Sequence, residues 1–123
     1  MFDEKINESM GGAGAVRSVN ERVKPRLQVS GSGQVRRPNQ QILAGKLYDL
    51  SVTGASVFLD LQLPLKEICT LRLQIFRHGS SYTVEVQGQI TNTMLVGSRG
   101  FRHGFQFLSI DSLTQKTLNA ICA

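Results

Sequence analysis

The sequence predicts an all-β fold in which five or six antiparallel strands close into a barrel and one α-helix follows at the C-terminus. Three observations predict it. From Leu27 onward, apolar residues alternate with polar ones, which is the period of strands with one buried face. Short turn signals separate the alternating stretches and leave no room for crossover helices. After Ser109 the apolar period becomes helical.

Residues 1–20 are predicted to be a flexible leader, and residues 21–123 a single domain. The leader has no apolar periodicity and carries the run Gly11-Gly-Ala-Gly14 in its middle. A chain of 123 residues can bury one hydrophobic core but hardly two. One domain is therefore expected.

The strand prediction rests most firmly on two stretches in the second half of the chain. In the first, Leu71, Leu73 and Ile75 alternate with polar residues, and in the second Tyr82, Val84, Val86 and Ile90 do the same. Turns are expected at Gly31-Ser-Gly33, Arg37-Pro-Asn39, His78-Gly79 and Gly97-Ser-Arg-Gly100. Closure of the sheet into a barrel would remove its unpaired edges.

The residues after Ser109 predict a helix of about three turns. Its apolar positions are Ile110, Leu113, Leu118 and Ile121, and the stretch Ser112-Leu-Thr-Gln115 has the pattern of a capping box. The apolar stripe is expected to cover one end or flank of the barrel.

The charge of the chain favours an anionic partner. The formal net charge is +5, of which residues 1–20 contribute −1 and the remainder +6. A basic domain attracts nucleotides, nucleic acids and anionic membrane surfaces alike, so the charge does not choose among them.

Neither a metal site nor a catalytic site is expected. Cys69 and Cys122 have no metal-ligand spacing and are predicted to be free thiols. His78 and His103 lie in or beside turn signals without a nucleophile motif, and both are expected to be solvated. The chain is therefore predicted not to be an enzyme and to need no cofactor.

The chain is expected to be cytoplasmic, without membrane insertion. Its N-terminus is acidic at Asp3 and Glu4 and develops no apolar segment, unlike a secretion signal. No stretch approaches the roughly 18 apolar residues that a membrane span requires.

Two short motifs describe a site for an anionic purine ligand. The first, Arg22-Val-Lys-Pro-Arg26, places two arginines four residues apart, and guanidinium groups both grip phosphates and stack on purines. The second runs from Asp49 through Ser51 to Gly54. A carboxylate and a hydroxyl two residues apart share one face of a strand, where they can read a base edge. Glycine allows a close approach of backbone or ligand.

Together with the close Gly104-Phe105-Gln106-Phe107, these two motifs resemble those of the PilZ domain, a bacterial receptor module for cyclic di-GMP. Pro25, the short strand Leu27-Gln28-Val29 and the stretch from Leu43 to Asp49 also sit where such domains have similar residues. The resemblance covers residues 21–123. It implies a six-stranded antiparallel PilZ-type β-barrel with a C-terminal helix.

The resemblance also implies the roles of the motif residues. Arg22 and Arg26 would clamp the phosphates and guanines of cyclic di-GMP, Asp49 and Ser51 would meet the other guanine, and Gly54 would keep the turn tight. Glu21 and Lys24 are additional candidates. The acidic Glu21 stands where many members have a basic or apolar residue, so the number of ligands per chain stays open.

A receptor of this kind would act through an unidentified partner protein, in motility, adhesion, exopolysaccharide production or virulence. Binding is expected to order residues 17–26 against the barrel. Two other interpretations remain. A basic β-barrel can bind single-stranded nucleic acid, although the aromatic residues are better explained as core, namely Phe58, Phe76, Tyr82, Phe101, Phe105 and Phe107. A PilZ-type barrel can also serve as a protein-docking adaptor without ligand.

Overall fold

The structure is a computed structural model that describes residues 26–123. The predicted leader, residues 1–20, lies outside the described residues, as do Glu21, Arg22 and Lys24. The elements are β1 (Leu27–Gln28), β2 (Ser30–Arg36), β3 (Ile42–Leu50), β4 (Gly54–Leu59), β5 (Ile68–Arg77), β6 (Ser80–Leu95), a 3-10 turn (Gly97–Arg99), β7 (Phe101–Phe107) and α1 (Ser112–Cys122).

Six of the strands form a closed antiparallel barrel. Their order around it is β3-β2-β5-β6-β7-β4, and β4 pairs with β3 to close the sheet. The short β1 pairs with the C-terminal end of β3, where Leu27 lies opposite Leu50 and Gln28 opposite Asp49. The predicted barrel with a C-terminal helix is confirmed, with β1 as an extra strand.

The interior of the barrel follows the predicted alternation. In β5, Leu71, Leu73 and Ile75 are fully buried while Arg72 and Gln74 between them are exposed. Burial of apolar surface on this inner face stabilises the closed sheet at about 25 cal/mol per Å². Among the aromatic residues expected in the core, Phe76 is 52% exposed. It follows the inward-facing Ile75, so the strand period turns it outward.

The expected turn at Gly31-Ser-Gly33 is wrong, because these residues lie inside β2. Gly31 pairs with Ile75 of β5, and a Cβ atom at Gly31 would collide with the backbone oxygen of Gln74. Glycine here permits close packing of two strands rather than a change of direction. The other three expected turns are confirmed as connections between strands.

The helix α1 closes over the barrel core through Leu118 and Ile121, both fully buried. The expected capping box is wrong by one residue, since Asp111 is the N-cap and its carboxylate accepts a hydrogen bond from Thr114 N at 2.7 Å. Leu113 was expected in the apolar stripe but is 74% exposed. At 100° per residue it lies about 110° from the centre of the buried pair.

Candidate ligand-binding site

The two motifs meet at the C-terminal end of β3. Arg26 directly precedes β1, and the pairing of β1 with β3 brings it beside Asp49. Arg26 Nη1 donates to Asp49 Oδ1 at 2.8 Å, with side-chain exposures of 41% and 15%. The remaining guanidinium donors of Arg26 make no other side-chain hydrogen bond within residues 26–123. The pair is therefore held in place but open to a ligand.

Ser51 occupies a different environment. Strand β3 ends at Leu50, and Ser51 begins the turn that leads into β4. Its hydroxyl oxygen accepts hydrogen bonds from Thr53 N and Gly54 N, both at 3.1 Å, and its side chain is 1% exposed. In this structure Ser51 therefore shapes the turn through backbone groups.

Gly54 links the turn to Arg26. A Cβ atom there would collide with Phe105 O of β7 and would lie 3.3 Å from Arg26 Nη2. A larger side chain would thus push against both the β4–β7 pairing and the arginine. The close approach expected of this glycine is present.

A row of small residues extends from Asp49 across the outer surface of the barrel. Asp49 pairs with Ser56, Ser56 with Gly104 and Gly104 with Asn92, so that the row crosses β3, β4, β7 and β6. Asn92 is exposed and its amide group lies over Gly104, where a Cβ atom would approach it to 2.8 Å. Asp49 and Asn92 are three strands apart, which is half of the way around the six-stranded barrel.

Sequence reasoning did not predict that these residues form a row. Ser56 lies in a strand that is buried throughout, so alternation gave no signal there. Gly104 was recognised as part of a pattern but not as a residue on which the Asn92 amide packs. Asn92 follows a β-bulge between Ile90 and Asn92, and a bulge changes which residues face outward.

Beside this row lies a cluster of cationic and aromatic residues, which we call the arginine–aromatic cluster: Lys46, Tyr48, Phe58, Arg99 and Arg102. The Arg99 guanidinium stands 4.5 Å from the Phe58 ring centroid, and that of Arg102 stands 4.9 Å from the Tyr48 centroid. The two rings meet edge to face at 5.5 Å. Lys46 pairs with Phe58, and Phe58 with Arg102. Sequence reasoning missed this cluster as well.

His103 corrects the expectation that both histidines are solvated. It is fully buried in β7, and its Nε2 accepts a hydrogen bond from Leu63 N at 2.9 Å. Burial lowers the pKa of the His103 imidazole, while the Phe101 backbone and the charge of Glu67 act less strongly in the opposite direction. His103 shares the strand parity of Phe105 and Phe107, which would have predicted an inward position.

The cysteines are free thiols, as expected. Burial raises the pKa of the Cys69 thiol to about 12, with a further contribution from its hydrogen bond to Glu67. The neutral thiol is therefore unreactive at ordinary pH. Within residues 26–123, no three His, Cys, Asp or Glu side chains are placed to hold a metal ion. The one helix of that region is too short to cross a membrane.

A sequence model of the PilZ domain family matches residues 20–123. The chain belongs to the PilZ domain family. No curated protein matches it at the level of sequence.

Solved structures with the same fold are distant in sequence. The PilZ domain of Escherichia coli YcgR with cyclic di-GMP is 17% identical, with a TM-score of 0.59 over 83% of this chain and 88% of that one. Escherichia coli YcgR in complex with cyclic di-GMP is 20% identical, with a TM-score of 0.67 over 84% of this chain and 45% of that one. The Bacillus subtilis inhibitor of motility MotI is 16% identical, with a TM-score of 0.71 over 83% of this chain and 49% of that one. This chain spans about half the length of those two longer proteins.

Proposed function

We propose that this PilZ domain is a cyclic di-GMP receptor that passes the binding event to a partner protein. The observation that carries the proposal is the contact between Arg26 and Asp49, which joins the two motifs at one place on the outer surface of the barrel. Family membership and the similarity to YcgR structures that contain cyclic di-GMP support it.

The chemistry of the pair suits guanine. A carboxylate such as that of Asp49 accepts hydrogen bonds from the N1 and N2 donors of guanine, while the guanidinium of Arg26 donates to O6 and N7. An exposed ion pair contributes only about 0–1 kcal/mol, so its exchange for ligand contacts costs little. The base would lie over the small residue Ser56, which pairs with Asp49.

Arg22 supplies the second guanidinium of the proposed phosphate clamp, with Glu21 and Lys24 beside it in sequence. Residues 1–20 are proposed as a leader to the domain that follows. We also propose that ligand orders residues 17–26 against the barrel, which would change the surface offered to a partner protein. Unchanged amide exchange in residues 11–26 upon addition of ligand would contradict this mechanism.

Ser51 can contribute to binding either by holding the turn or by contacting the ligand. Its hydroxyl already accepts two backbone hydrogen bonds, which favours an indirect contribution that holds the turn between Asp49 and Gly54. A direct contact with ligand would require this hydroxyl to leave the turn.

Isothermal titration calorimetry tests the proposed function. Cyclic di-GMP is titrated into the wild-type protein and into Arg22→Ala and Asp49→Ala, with GTP and a short single-stranded RNA as control ligands. Arg72→Ala is the matched control variant, since Arg72 is exposed on the outer surface of β5, opposite Gln34 and Glu85.

The expected result is saturable binding of cyclic di-GMP that both site substitutions abolish and Arg72→Ala preserves. The absence of binding to cyclic di-GMP would contradict the receptor function. Salt-dependent binding of the RNA would then favour a nucleic-acid binder, and the absence of both would favour a docking adaptor.

A further inference from the structure

Strand β6 extends beyond the strand β5 that it pairs with. It has 16 residues and β5 has 10, and their pairing ends where Ile68 lies opposite Gln89. The chain before β5 turns away at Lys66, whose φ is 71° and whose N–H donates to Ile90 O at 2.8 Å. Residues 91–95 of β6 therefore have β7 on one side and no strand of the described chain on the other. We call this stretch the β6 edge.

The register of the β6–β7 hairpin shows which backbone groups face the open side of the β6 edge. Val96 N donates to Gly100 O at 2.8 Å, and in an antiparallel pair the backbone groups of alternate residues face the partner strand. The N–H and C=O groups of Thr93 and Leu95 therefore face away from β7. Among residues 26–123 they have no backbone hydrogen-bond partner on that side. An unpaired row of this kind is a template for another strand.

A groove with a volume of about 480 Å³ lies along this open side. It is lined by residues 62–65 of the loop between β4 and β5 and by residues 91–93 of β6. None of these lining residues is charged. Leu65 in the groove is 61% exposed, and Leu95 at the end of the β6 edge is 66% exposed. Apolar side chains therefore lie beside the unpaired backbone groups.

Two residues of the loop explain why it does not pair with the β6 edge itself. Leu63 is buried, and its N–H donates to His103 Nε2 at 2.9 Å inside the barrel. Pro64 has no N–H to donate to a neighbouring strand. The loop is therefore anchored away from β6 and leaves the groove open.

The charges near the groove favour an acidic partner. Lys66 is exposed beside Leu65 at one end of the β6 edge, and Arg102 lies opposite Met94 near the other end. Neither cation forms an ion pair with another residue of the described chain. The exposed Asp60 of the loop opposes them, which leaves a positive charge in a domain that is itself basic. An acidic segment is therefore attracted here more strongly than a basic one.

We propose that the β6 edge is a docking site for an acidic segment of a partner protein, which binds in an extended conformation as an additional strand. The backbone of the segment pairs with residues 93–95, and its apolar side chains pack against Leu65. Carboxylates at its two ends face Lys66 and Arg102. Docking does not require cyclic di-GMP, because no residue that lines the groove belongs to the two ligand motifs.

Amide NMR of the full chain tests this docking site with synthetic peptides of seven residues. The acidic probe is Asp-Thr-Val-Thr-Val-Thr-Asp with both ends blocked. The first control probe has Lys in place of both Asp residues. The second control probe carries N-methyl groups on two adjacent central residues, so that in either register one backbone donor toward β6 is lost.

The acidic probe is expected to shift the amide signals of residues 91–95 and to slow hydrogen exchange at Thr93 and Leu95. The lysine probe should bind at least about tenfold more weakly, because both end charges are reversed. The methylated probe should cause neither change, because added strands are held by backbone hydrogen bonds.

Variants of the protein provide the second readout. Leu95→Pro removes a backbone donor on the open side and keeps the pairing with β7, since proline is tolerated where the N–H faces away from the sheet. This variant is expected to lose binding of the acidic probe. Because proline can disturb the hairpin, Lys66→Glu is tested beside it and should weaken binding about fivefold. Lys116→Glu on α1, which does not line the groove, is the matched control and should bind like the wild type.

Three outcomes would overturn the docking site. The first is unchanged amide signals in residues 91–95 at about 1 mM acidic probe, and the second is wild-type affinity in both Leu95→Pro and Lys66→Glu. The third is a wild-type dimer in sedimentation equilibrium that Leu95→Pro dissociates, because a second copy of the chain would then cover the β6 edge. Binding of the acidic probe by a protein that binds no cyclic di-GMP would contradict only the proposed receptor function.

Discussion

Two arginine–carboxylate pairs of the same length occupy opposite situations in this domain. Arg26 uses one nitrogen to contact one oxygen of Asp49 at 2.8 Å. Arg37 uses Nε and Nη2 to contact both oxygens of Glu67, at 2.8 and 2.9 Å, and Nη1 to contact Gln41 at 3.0 Å. All three guanidinium nitrogens of Arg37 therefore donate hydrogen bonds, whereas only Nη1 of Arg26 does so within residues 26–123.

The surroundings of the two pairs differ in the same direction. The Arg37 and Glu67 side chains are 20% and 12% exposed, and the Cys69 thiol also donates to Glu67 at 3.4 Å. The Arg37 hydrogen bond lowers the pKa of the Glu67 carboxyl. This pair joins the turn between β2 and β3 to the start of β5. Although the two ion pairs have the same length, Arg37–Glu67 holds two parts of the fold together, whereas Arg26–Asp49 leaves donors of Arg26 available.

The largest expected effect on affinity or stability comes from removing the carboxylate of either pair, Asp49 or Glu67. Asp49→Ala should lower the affinity for cyclic di-GMP about 100-fold or more, so that calorimetry detects no saturable binding, because two charge-assisted hydrogen bonds to guanine are lost. Its free energy of unfolding should change by no more than about 1 kcal/mol. Glu67→Ala should do the reverse, lowering the melting temperature while affinity stays within about threefold. Calorimetry and thermal unfolding of both variants check this, and equal binding losses would refute the contrast.

Ser51→Ala should cost about 1–3 kcal/mol in the free energy of unfolding, because two backbone N–H groups of a buried turn lose their acceptor. The exposed Ser81→Ala is the control. Denaturant unfolding measures the stability and calorimetry the affinity. A loss of affinity at unchanged stability would instead show that Ser51 contacts the ligand.

Arg26→Lys tests whether the free fork of Arg26 matters. Lysine keeps the charge but cannot donate two parallel hydrogen bonds or stack as a plane. The affinity for cyclic di-GMP should fall about tenfold, less than in Asp49→Ala, while the unfolding transition stays in place. Wild-type affinity in this variant would reduce the role of Arg26 to that of a point charge.

The smallest expected effect is a pH dependence of stability from His103, which holds Leu63 in the same loop that leads to Glu67. Burial depresses the pKa of His103 below its ordinary value of 6.5. The neutral form is therefore favoured by folding, and stability is full above about pH 6.5 and decreases as the pH falls below it. The slope cannot exceed about 1.4 kcal/mol per pH unit for one proton.

Denaturant unfolding between about pH 6.5 and 5.5 measures this slope, since ordinary carboxyl groups titrate at lower pH. His103→Gln should flatten the curve in that window. An equal slope in the wild-type protein and the variant would show that His103 does not carry the dependence.

Much of the barrel could be predicted from periodicity. The stretches around Leu73 and Val84 alternate strictly, because one face of each strand is buried and the other exposed, and the structure confirms both. Two predictions that were wrong, the turn at Gly31 and the helix cap, have local causes. Gly31 was taken for a turn because glycine permits sharp bends, whereas here it permits two strands to approach. Asp111 rather than Ser112 caps the helix, because its carboxylate reaches the free backbone N–H of Thr114.

The candidate site was predictable in its motifs but not in its extent. The order of the two motifs along the sequence indicated a shared site, and the contact between Arg26 and Asp49 agrees with that expectation. Their role toward a ligand, and that of Arg22, remains a prediction. Ser56, Asn92 and the arginine–aromatic cluster carried no signal, because their proximity depends on strand pairing and on bulges.

The sequence by itself determined the fold class, the family and the identity of the two motifs, because alternation, turn residues and short spacings are local properties of the chain. Only the tertiary structure decided which side chains share a surface. Barrel closure sets β3, β4, β7 and β6 side by side, and the register of those pairings places Lys46, Phe58 and Arg102 in one row. Strand register arises from packing between residues distant in sequence, so no local sequence pattern predicts it.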